Sequence, residues 1–209
     1  MNRRAFSLIE LLAVVAVIGI ISALVIPSFT SINRAQALTT GAGALIDELA
    51  SARQAALAQN RVVEVRFYKR NEEPGFGDAA TAQFRAFGTV IYDEQVNNWH
   101  PLTAIQMLPA RIIVSGTKEF STLMQPYPNL IPSRALKEQQ LPEGKVPFQV
   151  IRFRPTGGTD LSPTGAPGDD KWFLTVASEN DKPVDGKPGN NYVTLMLDPV
   201  SGRVRTFRP

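Results

Sequence analysis

Few residues in this chain are equipped for bond-making chemistry. His100 is the only histidine and there is no cysteine among the 209 residues, so a zinc set, a thiolate nucleophile and a His-based triad each lack their parts. Disulfide staples and a lipidated cysteine are excluded on the same ground. No Gly-x-Ser-x-Gly elbow, phosphate-binding loop or dinucleotide fingerprint occurs. The adjacent carboxylates Glu72-Glu73 and Asp169-Asp170 fall in Pro/Gly-rich stretches and read as solvated surface. Gly157-Gly158 reads as a turn. Asp181, Asp185, Asn190 and Asn191 offer hard oxygens to calcium but lack the spacing of a known loop. No catalytic residue, metal or cofactor is expected.

What remains is electrostatic. Glu10 is a lone acid at the head of an apolar run, and a carboxylate held deep and unpaired in a membrane costs about 2.5–3.5 kcal/mol. Either it lies at the headgroups, where a helix N-terminus favours an acid, or a cation meets it. At the other end, Arg203 and Arg205 flank Val204. On a strand, two such arginines share one face while the valine between them turns inward.

The elements that carry these residues are legible from pattern. Arg3 and Arg4 precede the apolar run and no basic residue follows until Arg34, so the N-terminus stays cytoplasmic and the rest is exported. Residues 6–29 make roughly 36 Å of helix, enough to cross a bilayer. The net charge of +3 falls to +1 without Arg3 and Arg4, so no broad electropositive surface is implied. Past Pro27, Ile32, Leu38, Leu45, Leu49, Ala52 and Ala56 form a stripe at helical period, with Arg34, Gln36, Asp47, Glu48, Arg53 and Gln54 at other positions. Gly41 and Gly43 weaken the middle of that helix, which should end near Gln59-Asn60.

After Asn60 the period becomes two. Val62, Glu64 and Arg66 alternate with Val63, Val65 and Phe67, which predicts a strand. Further strands are expected over residues 84–92, 111–114, 148–153, 172–177, 192–197 and 204–207. Asp198-Pro199-Val200-Ser201-Gly202 is a turn sequence that should join the last two as a hairpin. Residues 71–78, 125–132, 155–170 and 180–191 read as exposed, mobile loops. The class is α+β, with helical residues 6–29 and 30–60 followed by a β-rich domain over 61–209.

The segment Ala5-Phe6-Ser7-Leu8-Ile9-Glu10-Leu11-Leu12 resembles the processing site of type IV pilins and type II secretion pseudopilins. The resemblance implies a pilin-like fold and a leader of residues 1–5 removed by a prepilin peptidase between Ala5 and Phe6. It implies N-methylation of Phe6, and a Glu10 that pairs with the Phe6 ammonium of a neighbouring subunit during assembly. Pro27 falls where this family carries a helix-kinking proline. Ala5 departs from the family's usual glycine before the cut, and slower processing follows from that. The C-terminal run Leu197-Asp198-Pro199-Val200-Ser201-Gly202-Arg203-Val204-Arg205 resembles the final hairpin of H-type minor pseudopilins and FimT-like minor pilins. The tail through Phe207-Arg208-Pro209 is similar to that of a verrucomicrobial cassette of pilin-like exported proteins. FimT-like members bind DNA through Gly-Arg-x-Arg, which Gly202-Arg203-Val204-Arg205 matches.

The resemblance therefore implies a minor pilin or pseudopilin, anchored in the bacterial inner membrane with its domain in the periplasm, whose partners are the peptidase, other pilin subunits and membrane lipid. A DNA-uptake receptor is the second reading. A third is an exported, anchored binding domain that never polymerises. Ala35-Gln36-Ala37 would suit an ordinary signal-peptide cut, and an uncleaved anchor is the remaining option.

Overall fold

The computed structural model describes residues 8–70, 83–126, 148–181, 183, 186 and 188–209, without the side chains of 23–31. It divides into two compact units, residues 1–36 and 37–209.

Helix α1 spans Leu8–Gln59 and so contributes to both. In the first unit its described side chains over residues 8–22 and 32–36 are all exposed. Its end is set by Asn60, at a left-handed φ of 52°. The Arg61 N–H reaches back to the Ala56 carbonyl at 3.3 Å, the six-to-one bond that closes a helix over such a residue.

In the second unit α1 buries Leu38, Ala42, Leu45, Leu49, Ala52 and Ala56, a stripe at intervals of three and four. The expected stripe thus starts at Leu38; Ile32 is 60% exposed. Glu48 also departs from the expected polar face and is buried. It lies three residues after Leu45 and four before Ala52, on the inward side, where the Thr89 and Thr103 hydroxyls donate to its Oε1. Those bonds replace the water the carboxylate gives up. At Gly41 a methyl group would stand 3.2 Å from both Ile112 and Pro109, so its lack of a side chain serves close packing.

Nine strands are present among the described residues: β1 Val63–Arg70, β2 Gln83–Asp93, β3 Asn98–Pro101, β4 Gln106–Met107, β5 Ile112–Val114, β6 Phe148–Phe153, β7 Trp172–Ser178, β8 Tyr192–Leu197 and β9 Val204–Phe207. They form one sheet in the order β6-β1-β2-β5-β7-β8-β9, with β3 and β4 also on β2, and every pairing is antiparallel. The architecture is α+β: the second half of a long N-terminal helix shares one core with the inward side chains of the sheet, among them Val63, Val65, Phe67, Ile151, Leu174 and Leu195. All seven expected strands form, and β3 and β4 are additional.

The segment 155–170 is not the exposed loop its composition suggests. Thr159, Leu161 and Ala166 are buried, both the N–H and the hydroxyl of Thr159 donate to the Pro199 carbonyl at 2.9 Å, and the Trp172 indole donates to the Ser162 carbonyl at 2.8 Å. Long-range contacts order a stretch whose local sequence favours none. The expected loop over 71–78, most of that over 125–132 and part of that over 180–191 lie outside the described residues.

Candidate functional site: an exposed apolar helix and a basic sheet edge

The first candidate is the N-terminal end of α1. Leu8, Ile9, Leu11, Leu12, Val14, Val15, Val17, Ile18, Ile20 and Ile21 are each more than half exposed. They point in every direction around the helix rather than along one stripe, and a helix that is apolar all round belongs in a bilayer or at the centre of an assembly. Glu10, in the first turn, is likewise exposed. Among the described residues no helix is long and apolar enough to cross a membrane. The described side chains of the run stop at residue 22, while the sequence continues apolar through Ala23, Leu24, Val25 and Ile26. The cleavage site at Ala5 and Phe6 lies outside the described residues, as does the side chain of Pro27.

The second candidate is the hairpin β8–β9. Asp198 Oδ1 accepts the N–H groups of Val200 (2.9 Å) and Ser201 (3.2 Å). These two bonds, Ser201's foremost, hold its carboxyl below the usual carboxylate range. The Gly202 N–H closes on the Asp198 carbonyl at 2.8 Å. Across the turn, Arg53 of α1 donates from Nε to the Gly157 carbonyl at 3.1 Å and the Ser201 carbonyl at 2.7 Å. One helical arginine therefore clasps the 154–158 turn to the 198–202 turn. Gly157-Gly158 is the expected turn, closed by Arg154 and Gly158 at 2.8 Å. Beyond it, Arg203 and Arg205 are exposed and Val204 packs on the core, the alternation expected of a strand.

Other sequence candidates do not converge. His100 is exposed on β3. Asp169 Oδ1 accepts the Lys171 N–H at 3.0 Å, and Asp170 sits 3.9 Å from the Lys171 ammonium in open solvent. Glu72, Glu73 and Asp185 lie outside the described residues. Asp181, Asn190 and Asn191 are described, and no group of acids or histidines able to hold a metal forms among the described residues.

Sequence reasoning missed a buried ion cluster on the sheet face opposite α1. Glu64 on β1 stands directly across from Arg152 on β6. Its Oε1 accepts from Arg152 Nε at 3.1 Å and Nη2 at 2.5 Å, and its Oε2 accepts from Arg66 Nε at 3.0 Å. Arg152 Nη1 also reaches Asp160 at 3.2 Å. The side chains of Glu64, Arg66, Arg152 and Asp160 are 0%, 1%, 2% and 4% exposed. Both guanidinium groups lie against the Trp99 ring, at 5.4 and 5.8 Å from its centre. Burial pushes the Asp160 carboxyl up, against the pull of Arg152. It raises Tyr68 likewise, against Arg66. Among the described residues, two acids and two cations meet here out of reach of solvent, and the arrangement ties β1 to β6. The available signal was a charged residue at the outward position of each of two strongly apolar strands, Val63-Glu64-Val65 and Ile151-Arg152-Phe153.

Residues 1–26 match the family model described as the prokaryotic N-terminal methylation motif. That motif stands at the head of a chain in which a long helix is followed by an antiparallel sheet. Among solved structures it is similar to the minor pseudopilin EpsH from the type 2 secretion system of Vibrio cholerae, at 10% identity and a TM-score of 0.46, over 82% of this chain and 97% of that one. No curated protein sequence matches it.

Proposed function

We propose that this chain is a minor pilin or pseudopilin, a structural subunit rather than an enzyme. It inserts with its N-terminus cytoplasmic, is cut by a prepilin peptidase between Ala5 and Phe6, and is methylated on the new Phe6 amine. Residues 6–29 hold it in the inner membrane, with the domain periplasmic, until the same helix enters a filament of pilin-like subunits serving secretion or a pilus. The observation that carries this reading is the all-round apolar surface of α1 over residues 8–22, which lies within the stretch that matches the methylation motif.

The driving force is burial. Each large aliphatic side chain moved from water to an apolar setting contributes about 1.5–3 kcal/mol, and ten such residues of this segment are more than half exposed. Lipid and a helical filament core both meet that demand. What selects the filament is Glu10, which gains the Phe6 ammonium of a neighbour, a charge pair that is strong in an apolar medium. Pro27 lies within the same helix, where loss of one backbone donor lets it bend.

The absence of native cysteine makes the test clean. A Val14→Cys chain, expressed with pilin-like subunits of its host that each carry one introduced cysteine in the same part of their N-terminal helix, is expected to form disulfides with them in the membrane when an oxidant is added. Adding Glu10→Ala is expected to reduce the cross-linked product at least about tenfold, the loss of one buried charge pair. Equal cross-linking with and without Glu10 would sink the assembly role. A chain that stays in the membrane and never cross-links would be an anchored domain that does not polymerise.

A further inference from the structure

The last strand leaves an open edge. Among the described residues, β9 closes the order β7-β8-β9 and pairs with β8 alone. The Asp198 N–H donates to the Arg203 carbonyl at 2.9 Å, which makes Arg203 a hydrogen-bonded position of the antiparallel ladder. Bonded and non-bonded positions alternate, so Arg205 and Phe207 also turn their backbone groups to β8, while Val204 and Thr206 turn theirs outward. Among the described residues nothing meets the outward groups of those two. Thr206 is exposed.

The side chains on this edge choose the partner. Arg203, Arg205 and Phe207 project from the face opposite Val204, and all three are exposed, Phe207 by 50%. Among the described residues no carboxylate forms a salt bridge with Arg203 or Arg205. The nearest acid in the turn, Asp198, is engaged by the Val200 and Ser201 N–H groups, and Arg205 is the least of the influences that hold it charged. A second copy of β9 in antiparallel register would set arginine against arginine, which like-charge opposition across strands disfavours. A strand with carboxylates at alternate positions would satisfy both the outward backbone groups and the two guanidinium groups.

We propose that β9 is a docking edge for an extended acidic segment of a partner protein, which adds to the sheet as a tenth strand. Val204 and Thr206 supply the main-chain bonds that give affinity, and Arg203 and Arg205 select the acidic sequence. This does not depend on the filament reading, because an anchored domain that never polymerises would present the same edge.

The test uses the full chain in detergent micelles and, as probe, a synthetic eight-residue peptide alternating glutamate with valine. A lysine–valine peptide and a short DNA duplex serve as comparisons. Low-salt binding of the acidic peptide alone is expected, with slowed hydrogen exchange at the Val204 and Thr206 amides. Arg203→Ala with Arg205→Ala is expected to weaken it about tenfold, two cross-strand charge pairs' worth. Thr206→Pro removes one outward N–H that β8 does not use, and is expected to weaken it as well. The proposal is overturned by absence of acidic-peptide binding, or by binding that leaves both amides exchanging freely and survives Thr206→Pro. DNA binding that excludes the peptide would mark the arginines as a phosphate contact and overturn it too.

Discussion

A Glu64→Gln chain is expected to lose about 3–5 kcal/mol of unfolding free energy in the domain over residues 37–209, the cost typical of removing one member of a buried ion cluster. Glu64 is fully buried and receives both Arg66 and Arg152. Without its charge, two guanidinium groups stay in a dry site where, among the described residues, Asp160 is the acid within salt-bridge reach, and it reaches Arg152 rather than Arg66. Coulomb attraction at that spacing is strong only because water is absent, and for the same reason an uncompensated charge there is expensive. Since domains of this size have about 5–15 kcal/mol in total, the variant should show a large drop in its denaturation midpoint. The triple change Glu64→Leu, Arg66→Met and Arg152→Met is expected to restore most of the loss, because well-packed apolar residues replace a buried ion group at little or no cost. A midpoint for Glu64→Gln close to that of the native chain would mean that the cluster is open to water.

Gly202→Ala is expected to cost roughly 2–4 kcal/mol, combining left-handed backbone strain with a clash against main chain. Gly202 has φ of 66°, and a methyl group there would stand 2.2 Å from the Gly157 carbonyl oxygen. That oxygen belongs to a turn that Arg53 also grips, so it cannot move aside without loosening the clasp between α1, the 154–158 turn and the hairpin. The glycine of Gly202-Arg203-Val204-Arg205 is thus fully accounted for by the fold, and only the two arginines are left for recognition. Thermal unfolding of Gly202→Ala against Arg203→Ala separates the two roles: a large shift is expected for the first and almost none for the second. Equal, small shifts would remove the structural account of the glycine.

These two sites also mark where sequence pattern stops being informative. Alternation in Val62 to Phe67 placed β1, because period two is a property of the strand itself, and residues 148–153 were expected as a strand, which is β6. It could not reveal that Glu64 and Arg152 lie opposite one another under Trp99, since register and cover come from the rest of the chain. Glu48 was misassigned to the solvent face for a related reason. Its place three residues after Leu45 pointed inward, but its charge argued outward, and the Thr89 and Thr103 hydroxyls that reverse the argument sit on another element. β3 and β4 escaped notice because Asn98–Pro101 and Gln106–Met107 are too short to show a period and exist by pairing with the long β2. The 155–170 segment is ordered by Leu161, Ala166 and Thr159 meeting distant partners, which Pro and Gly content cannot foretell.

The hairpin was legible in full, since Asp198 to Gly202 combine an Asx acceptor with a glycine where the chain must turn left-handed. The N-terminal motif was legible by a different route. Phe6 and Glu10 stand at the spacing of the processing site that the segment resembles, ahead of an apolar run, and it is that resemblance which implies a cationic partner for the carboxylate. The exposure of Leu8 to Ile21 on all sides of α1 supplies the surface such an assembly would bury.

The intact mass of the chain purified from cells that contain a prepilin peptidase tests the central claim most directly. A product beginning at Phe6 and carrying one added methyl group is expected, shifting to the uncut mass when the peptidase is deleted. A native product that keeps residues 1–5 whether or not the peptidase is present, or one that begins at Leu38, would contradict it.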